Sequence, residues 1–188
     1  MKNINKSKEH RLFIITGSSG VGKSTLIPLL KNSLDNNYDV RDFDENLTKK
    51  VAQNGALLDK WRRETTKYWI KKALNNSKTE KSTIIMGLVY PKEATEAKSE
   101  IPISFGLLDA SDEKIAERLM GKRFSTPEKV AGLRRATNQS PEVFLKSNKL
   151  LMDRLRQEIR SVEGTIIDTT TDTPKQSAIK ILNWLKDN

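Results

Sequence analysis

Gly17-Ser18-Ser19-Gly20-Val21-Gly22-Lys23-Ser24-Thr25 is the stretch that decides the fold. It fits the spacing G-x-x-x-x-G-K-[ST], in which a glycine-rich turn curls successive backbone N–H groups around a phosphate. Gly17 and Gly22 are expected to supply backbone angles closed to other residues, with Gly20 adding freedom. The helix that follows aims its positive N-terminal end at the same place. Lys23 is then placed to reach the terminal phosphates, and the Ser24 hydroxyl to ligate Mg²⁺. All nine residues, Gly17, Ser18, Ser19, Gly20, Val21, Gly22, Lys23, Ser24 and Thr25, form the expected nucleotide cradle. An incidental glycine turn would lack the setting found here: apolar Leu12-Phe13-Ile14-Ile15 leads in, and Leu26, Ile27, Leu29 and Leu30 lead out. Pro28 falls in the second turn of that helix, where it removes a backbone donor and is expected to kink the element.

Outward from the loop, short apolar runs alternate with amphipathic stretches. Leu12–Thr16, Tyr38–Phe43, Thr83–Val89, Ile103–Leu108 and Thr165–Ile167 read as strands, continuous enough to be buried on both faces. Helical patterns follow at Ser24–Leu34 and at Ala56–Leu74, where Leu57, Leu58, Trp61, Thr65, Tyr68 and Trp69 recur at helical spacing. A further helix is expected from an N-cap at Ser111 to Met120. Pro127, Pro141 and Pro174 sit where first-turn prolines belong, each behind a Thr or Ser. This rhythm predicts an α/β domain over residues 11–188, with a five-stranded parallel sheet between helical layers.

Composition removes competing classes. The 188 residues contain no cysteine and one histidine, His10, so thiolate chemistry, disulfides and His-rich metal sites are set aside. No apolar run approaches a membrane span and residues 1–11 lack the apolar stretch of a secretory signal, so a soluble, cytoplasmic protein without a membrane partner is expected. The net charge of +10 calls for an anionic partner. It is concentrated in two places. Residues 1–11 carry four basic residues against one acid, and 113–135 carry seven against three. The first, taken as residues 1–10, reads as a flexible basic leader.

The loop in this setting resembles that of the small P-loop kinases, the group holding nucleoside, nucleotide, shikimate and gluconate kinases. The resemblance implies a three-layer α/β fold with a five-stranded parallel sheet and a small helical lid, with ATP and Mg²⁺ as cofactors. In that family a carboxylate at the end of the second strand commonly orients or deprotonates the acceptor hydroxyl. Val40-Arg41-Asp42-Phe43-Asp44-Glu45 offers Asp44 first and Asp42 second, one of which can hold Mg²⁺ through water; the alternative is a turn that uses Asp for local hydrogen bonds. Asn54-Gly55-Ala56-Leu57-Leu58-Asp59-Lys60-Trp61-Arg62-Arg63 is similar to the substrate-side segment of gluconate-type kinases, which puts Asp59, Arg62 and Arg63 at the acceptor pocket. The alternative is a solvated helix face with Trp61 and Trp69 turned inward.

The basic cluster at about 113–135 then corresponds to the lid, with Arg118 and Arg123 neutralising charge as it shifts during transfer. Lys114, Arg118 and Lys122 share one helix face; a basic solvated face is the plainer reading. Ile166-Ile167-Asp168-Thr169-Thr170-Thr171-Asp172-Thr173-Pro174 resembles the loop that packs on the adenine base. The third strand ends in Gly87-Leu88-Val89 rather than in the aspartate of switch GTPases and motor ATPases, and no Asn-Lys-x-Asp is present. The loop itself looks like that of guanylate kinases, without their tyrosine- and arginine-rich GMP-binding segment. The expected activity is transfer of the ATP γ-phosphoryl group to a small metabolite, nucleoside or nucleotide. Lys23, Asp44, Arg118 and Arg123 are the catalytic candidates, and Asp42, Asp59 and Arg62 contact substrate. Two alternatives stand beside it: a kinase of nucleic-acid ends, and a non-catalytic or partner-dependent ATP-binding module. A nucleic-acid partner fits the charge but is not required by it.

Overall fold

Leu12–Thr16 (β1) is buried along its whole length and runs into the glycine loop, from which Lys23–Ser33 (α1) departs. The computed structural model describes residues 10–52 and 55–188. Apart from His10, the expected basic leader therefore lies outside the described residues, as does Asn54. The remaining elements are Tyr38–Asp42 (β2), Lys49–Ala52 (α2), Gly55–Ser77 (α3), Ser82–Gly87 (β3), Pro91–Glu96 (α4) and Ile103–Asp109 (β4). Asp112–Lys122 (α5), Pro127–Thr137 (α6), Pro141–Ser161 (α7), Thr165–Asp168 (β5) and Pro174–Asp187 (α8) complete the order.

The five strands form one sheet in the order β2-β3-β1-β4-β5, and every pairing is parallel. Ile14 stands opposite Ile85 on one side and Phe105 on the other, so β1 is the middle strand. Two groups of helices pack around the sheet: α1 on β2 and β3 with α8 on β5, and α3 on β3 with α7 on β4 and β5, α4 being packed between α3 and α7. Buried aliphatic side chains of β1, β3 and β4 form the core between them, which hydrophobic burial stabilises.

Burial on both faces holds for the inner strands and fails at the margins. Only Val40 is buried in β2 and only Ile167 in β5, with Ile166 39% exposed, because an edge strand leaves its outer flank to solvent. The apolar stripe expected on α3 also shifts. Its buried face is Thr66, Trp69, Ile70 and Ala73, while Leu57 and Tyr68 are exposed. All the buried residues of this helix lie in its second half; in the first half, Arg63 is exposed and Arg62 partly so. Trp61 stays partly buried there, edge-on to Phe43 at 5.5 Å.

Local signals set the helix starts. Ser111, Thr126, Ser140 and Thr173 each accept a backbone N–H from their own first turn, and Pro127, Pro141 and Pro174 open their helices. Pro28 lies on the exposed side of α1, which runs through it to Ser33 without a break. The missing donor thus faces water, where the Ser24 carbonyl it would have served can be hydrated. The short α2 and α4 carry too few residues for periodicity to reveal them.

The end of β3 is packed to its limit. A Cβ at Gly87 would stand 2.2 Å from the Cβ of Phe43. Gly87→Ala is expected to destabilise the fold by roughly 1–3 kcal/mol through overpacking. A urea unfolding midpoint equal to that of the unsubstituted protein would contradict this packing.

Candidate functional site

The loop is held from several sides before any ligand is considered. Thr16, fully buried, accepts the Val89 N–H through its hydroxyl at 3.2 Å, which fixes the loop entrance to the end of β3. Gly20 and Gly22 adopt positive φ of 92° and 105°. Gly17 does not, so its expected conformational role is replaced by a steric one: a Cβ there would lie 2.8 Å from both the Leu108 carbonyl oxygen and Val21 Cγ2. Gly20 is also pressed against Leu119 and Ile115 of α5. On the far side Asn148 of α7, buried itself, accepts the Ser19 N–H at 3.0 Å. Its amide nitrogen donates to the Ser19 carbonyl at 3.0 Å and to the Ser18 hydroxyl at 3.3 Å.

Lys23 folds back on this loop. Its Nζ donates to the carbonyls of Gly17 at 2.6 Å and Ser18 at 2.8 Å. Burial lowers its pKa to about 8, against the opposing pull of Asp44 and then Asp42, and Arg123 lowers it further. Ser24 stands exposed in the first turn of α1.

Across from the lysine, the two candidate carboxylates divide their tasks. Asp42 accepts the Asp44 N–H at 2.9 Å, so part of it is committed to the local turn. Asp44 keeps access to solvent, yet the protein around it desolvates the carboxylate enough to raise its pKa. Asp42 raises it further, while Lys23 and Arg62 pull it down. The Arg62 side chain is only 11% exposed; it donates to Asp59 at 3.0 Å and lies 5.1 Å over the Tyr90 ring. Asp59 therefore acts on Arg62, while Arg63 is exposed. The same ring carries Arg154 of α7 at 4.0 Å, whose Nε donates to Glu158 at 2.7 Å. Glu93 of α4 sits among these cations with Oε2 buried and without a hydrogen-bond partner. Desolvation raises its pKa, and Arg62, Arg63 and Arg154 lower it.

The structure separates the two lid arginines. Arg118 donates to the Thr169 hydroxyl at 3.2 Å and to its carbonyl at 2.7 Å, so it is tied to the turn after β5. Thr169 in turn gives its N–H and its hydroxyl to the Asp109 carbonyl. Arg156 grips the Asp109 carboxylate with two hydrogen bonds, at 2.9 and 2.8 Å, and also reaches Asp112 and Asp153. Arg123, the residue after Lys122 at the end of α5, instead donates to the Ser19 hydroxyl at 3.1 Å and lies 5.6 Å over the Phe144 ring. Lys114 pairs with Glu117 at 2.8 Å.

Asn148, Tyr90, Glu93, Arg154 and Arg156 were not legible as site residues. Asn148 left one signal, since it is the polar member of the otherwise apolar stripe Asn148, Met152, Leu155 and Ile159. The others gather only through folding, from α4 and α7.

No protein-family model and no curated protein matches the sequence. Solved structures do resemble it. An unliganded sugar kinase from Janibacter sp. is 20% identical with a TM-score of 0.61, covering 94% of this chain and 95% of that one. A shikimate kinase from Acinetobacter baumannii, in complex with shikimate, is 15% identical at a TM-score of 0.64, covering 96% and 95%. The chain has the P-loop kinase fold. A chain of the Pnkp1/Rnl/Hen1 RNA repair complex is also similar, at 15% identity and a TM-score of 0.54, covering 84% of this chain and 48% of that one.

The Ser24 hydroxyl and the carboxylates of Asp42 and Asp44 are oxygen donors of the kind that would suit Mg²⁺, and the start of α1 would offer N–H groups to an anion. Among the described residues no group of three or more His, Cys, Asp or Glu could hold a metal alone. A metal held here would therefore have to share the oxygens of a bound phosphate. No described helix is long and apolar enough to cross a membrane.

The lowered pKa of Lys23 has a measurable sign. At pH 8.5 the free site holds this lysine mostly neutral, and bound phosphates restore its charge, so ATP binding takes up a proton. Calorimetry in two buffers of different ionisation enthalpy is expected to report this uptake, and Lys23→Met to abolish it. Equal uptake in the variant would assign the proton to another group.

Proposed function

We propose that this chain is an ATP-dependent phosphotransferase that moves the γ-phosphoryl group to a hydroxyl of a small anionic metabolite in the cytoplasm. One observation carries this reading: Lys23 of the phosphate loop and the raised-pKa carboxylate of Asp44 act on each other electrostatically, with Arg62 acting on Asp44 as well. A lysine that grips the transferring phosphates and a carboxylate that meets the acceptor are the two groups this chemistry needs.

Lys23 leaves the loop carbonyls to hold the β- and γ-phosphates, and the loop N–H groups cradle them. Ser24 holds Mg²⁺, which neutralises phosphate charge when bound. Asp44 accepts a hydrogen bond from the acceptor hydroxyl, orients it in line with the γ-phosphorus and takes its proton as the new P–O bond forms. The bond from phosphorus to the bridging oxygen breaks, and ADP departs with the electron pair. Arg123, already at the loop through Ser19, faces the charge that spreads over the phosphoryl oxygens. Arg118 holds the turn after β5, where the nucleotide base rests, through its two hydrogen bonds to Thr169.

The acceptor's anionic group follows from the cations near Asp44. Arg62, Arg63 and Arg154 gather around Tyr90 and Glu93 and are matched three for three by Asp59, Glu93 and Glu158, so an anionic acceptor binds here by exchanging with one of these internal partners. A carboxylate or phosphate on the acceptor matches them.

A kinase of nucleic-acid ends is the second reading, favoured by exposed Lys122, Lys129, Arg134 and Arg135 and by the RNA repair neighbour. Against it, Lys114, Arg118 and Arg123 of the same region already have partners within the chain.

A panel of acid- and phosphate-bearing acceptors with radiolabelled γ-phosphate decides the matter. Transfer is expected to a small anionic acceptor, to be lost in Lys23→Ala with the fold kept, and to fall by about 10²–10⁴-fold in Asp44→Asn with ATP affinity little changed. Full turnover by Lys23→Ala would sink the assignment. Labelling of oligonucleotide ends with steep salt dependence would favour the second reading, and ATP binding without transfer to any acceptor a non-catalytic module.

A further inference from the structure

We propose that Asn148 is the positioning residue of the phosphate loop, holding Ser18 and Ser19 in the curve that leaves the rest of the loop's N–H groups free for phosphate. The inference builds on the nucleotide-binding reading of that loop and assigns a role to a residue outside the motif.

Asn148 occupies the first place of the α7 stripe that continues with Met152, Leu155 and Ile159, all buried. An asparagine costs helix propensity there and buries an amide where leucine would gain from burial. What it receives is full satisfaction from two consecutive residues of the loop: one N–H accepted, and one carbonyl and one hydroxyl supplied with donors. The orientation of the amide is fixed by chemistry, because the Ser19 N–H can only donate and the Ser19 carbonyl can only accept.

The contact spans 129 residues of sequence, so it couples the loop to a different helix. Ser19 is the meeting point. Its N–H and carbonyl go to Asn148 while its hydroxyl accepts from Arg123, and Arg123 in turn lies over Phe144, four residues before Asn148 on α7. The first half of the loop is thereby anchored to α7. The second half, with Gly20 and Gly22 at positive φ, is shaped by its own backbone and by α5. Without the anchor, Ser18 and Ser19 sample other conformations, and nucleotide binding must then order them.

Hydrogen–deuterium exchange of the ligand-free protein tests this directly. In Asn148→Ala, amides of residues 17–22 are expected to exchange about tenfold or more faster, with those of β1 and β3 unchanged and ATP affinity reduced about tenfold. Asn148→Asp keeps an acceptor for the Ser19 N–H and is expected to restore much of the protection at that amide, while its charge keeps ATP binding weak. Unchanged loop exchange in Asn148→Ala, or equal acceleration through the whole sheet, would overturn the proposal. If the unsubstituted protein binds no ATP, the phosphotransferase reading fails by itself, and loop exchange still decides the part played by Asn148.

Discussion

A loop that must offer backbone N–H groups to an anion cannot spend them on itself, and most of this molecule serves to hold such a loop in that unspent form. Gly17 fits against the Leu108 carbonyl with no room for a side chain, Thr16 is tied to the end of β3, and Gly20 rests on Ile115 and Leu119. Asn148 closes the remaining side. Strands β1, β3 and β4 and helices α5 and α7 therefore all end on one turn of backbone. The sheet order follows the same need, since placing β1 in the middle brings both neighbouring strand ends to the loop.

Charge is organised around that turn rather than spread over the surface. Arg156 gathers Asp109, Asp112 and Asp153 at the base of α5, which fixes where the lid helix begins. Beyond it, Arg118 joins the turn after β5 and Arg123 joins the glycine loop, so one helix and the residue after it link those two turns. The opposite wall is built from α3, α4 and α7, where Tyr90 carries an arginine from each of two helices. Each of these arginines also pairs with a carboxylate, Arg62 with Asp59 and Arg154 with Glu158, and the ring contact steadies the planes of their guanidinium groups.

The fold was legible because its signals are local. Strand–loop–helix around Lys23, the caps at Ser111 and Thr173, and the prolines at 127, 141 and 174 each depend on a few neighbouring residues. Gly17 was recognised as necessary for the wrong reason, because a steric demand from Leu108 arises only when β4 lies beside the loop. The stripe on α3 differs at Leu57, which precedes the buried part of the helix, and at Tyr68, which lies against Trp69 on its outward side; periodicity alone does not report where the partner surface ends. The motif points to Lys23 and Ser24, and the resemblance to small P-loop kinases points to Asp44 ahead of Asp42. Asn148 and Arg154 come from a helix that carries no motif, and only tertiary contact assigns them to the site.

Lys23 resting on the carbonyls of Gly17 and Ser18 makes the empty loop its own counter-ligand. Those two oxygens occupy the ammonium group that a phosphate would take, so an arriving anion must compete for it. A weakly charged solute gains too little from the exchange, whereas a polyphosphate brings several oxygens at once and meets the loop N–H groups together with the released lysine. A site so arranged would set a threshold against simple anions through two backbone carbonyls.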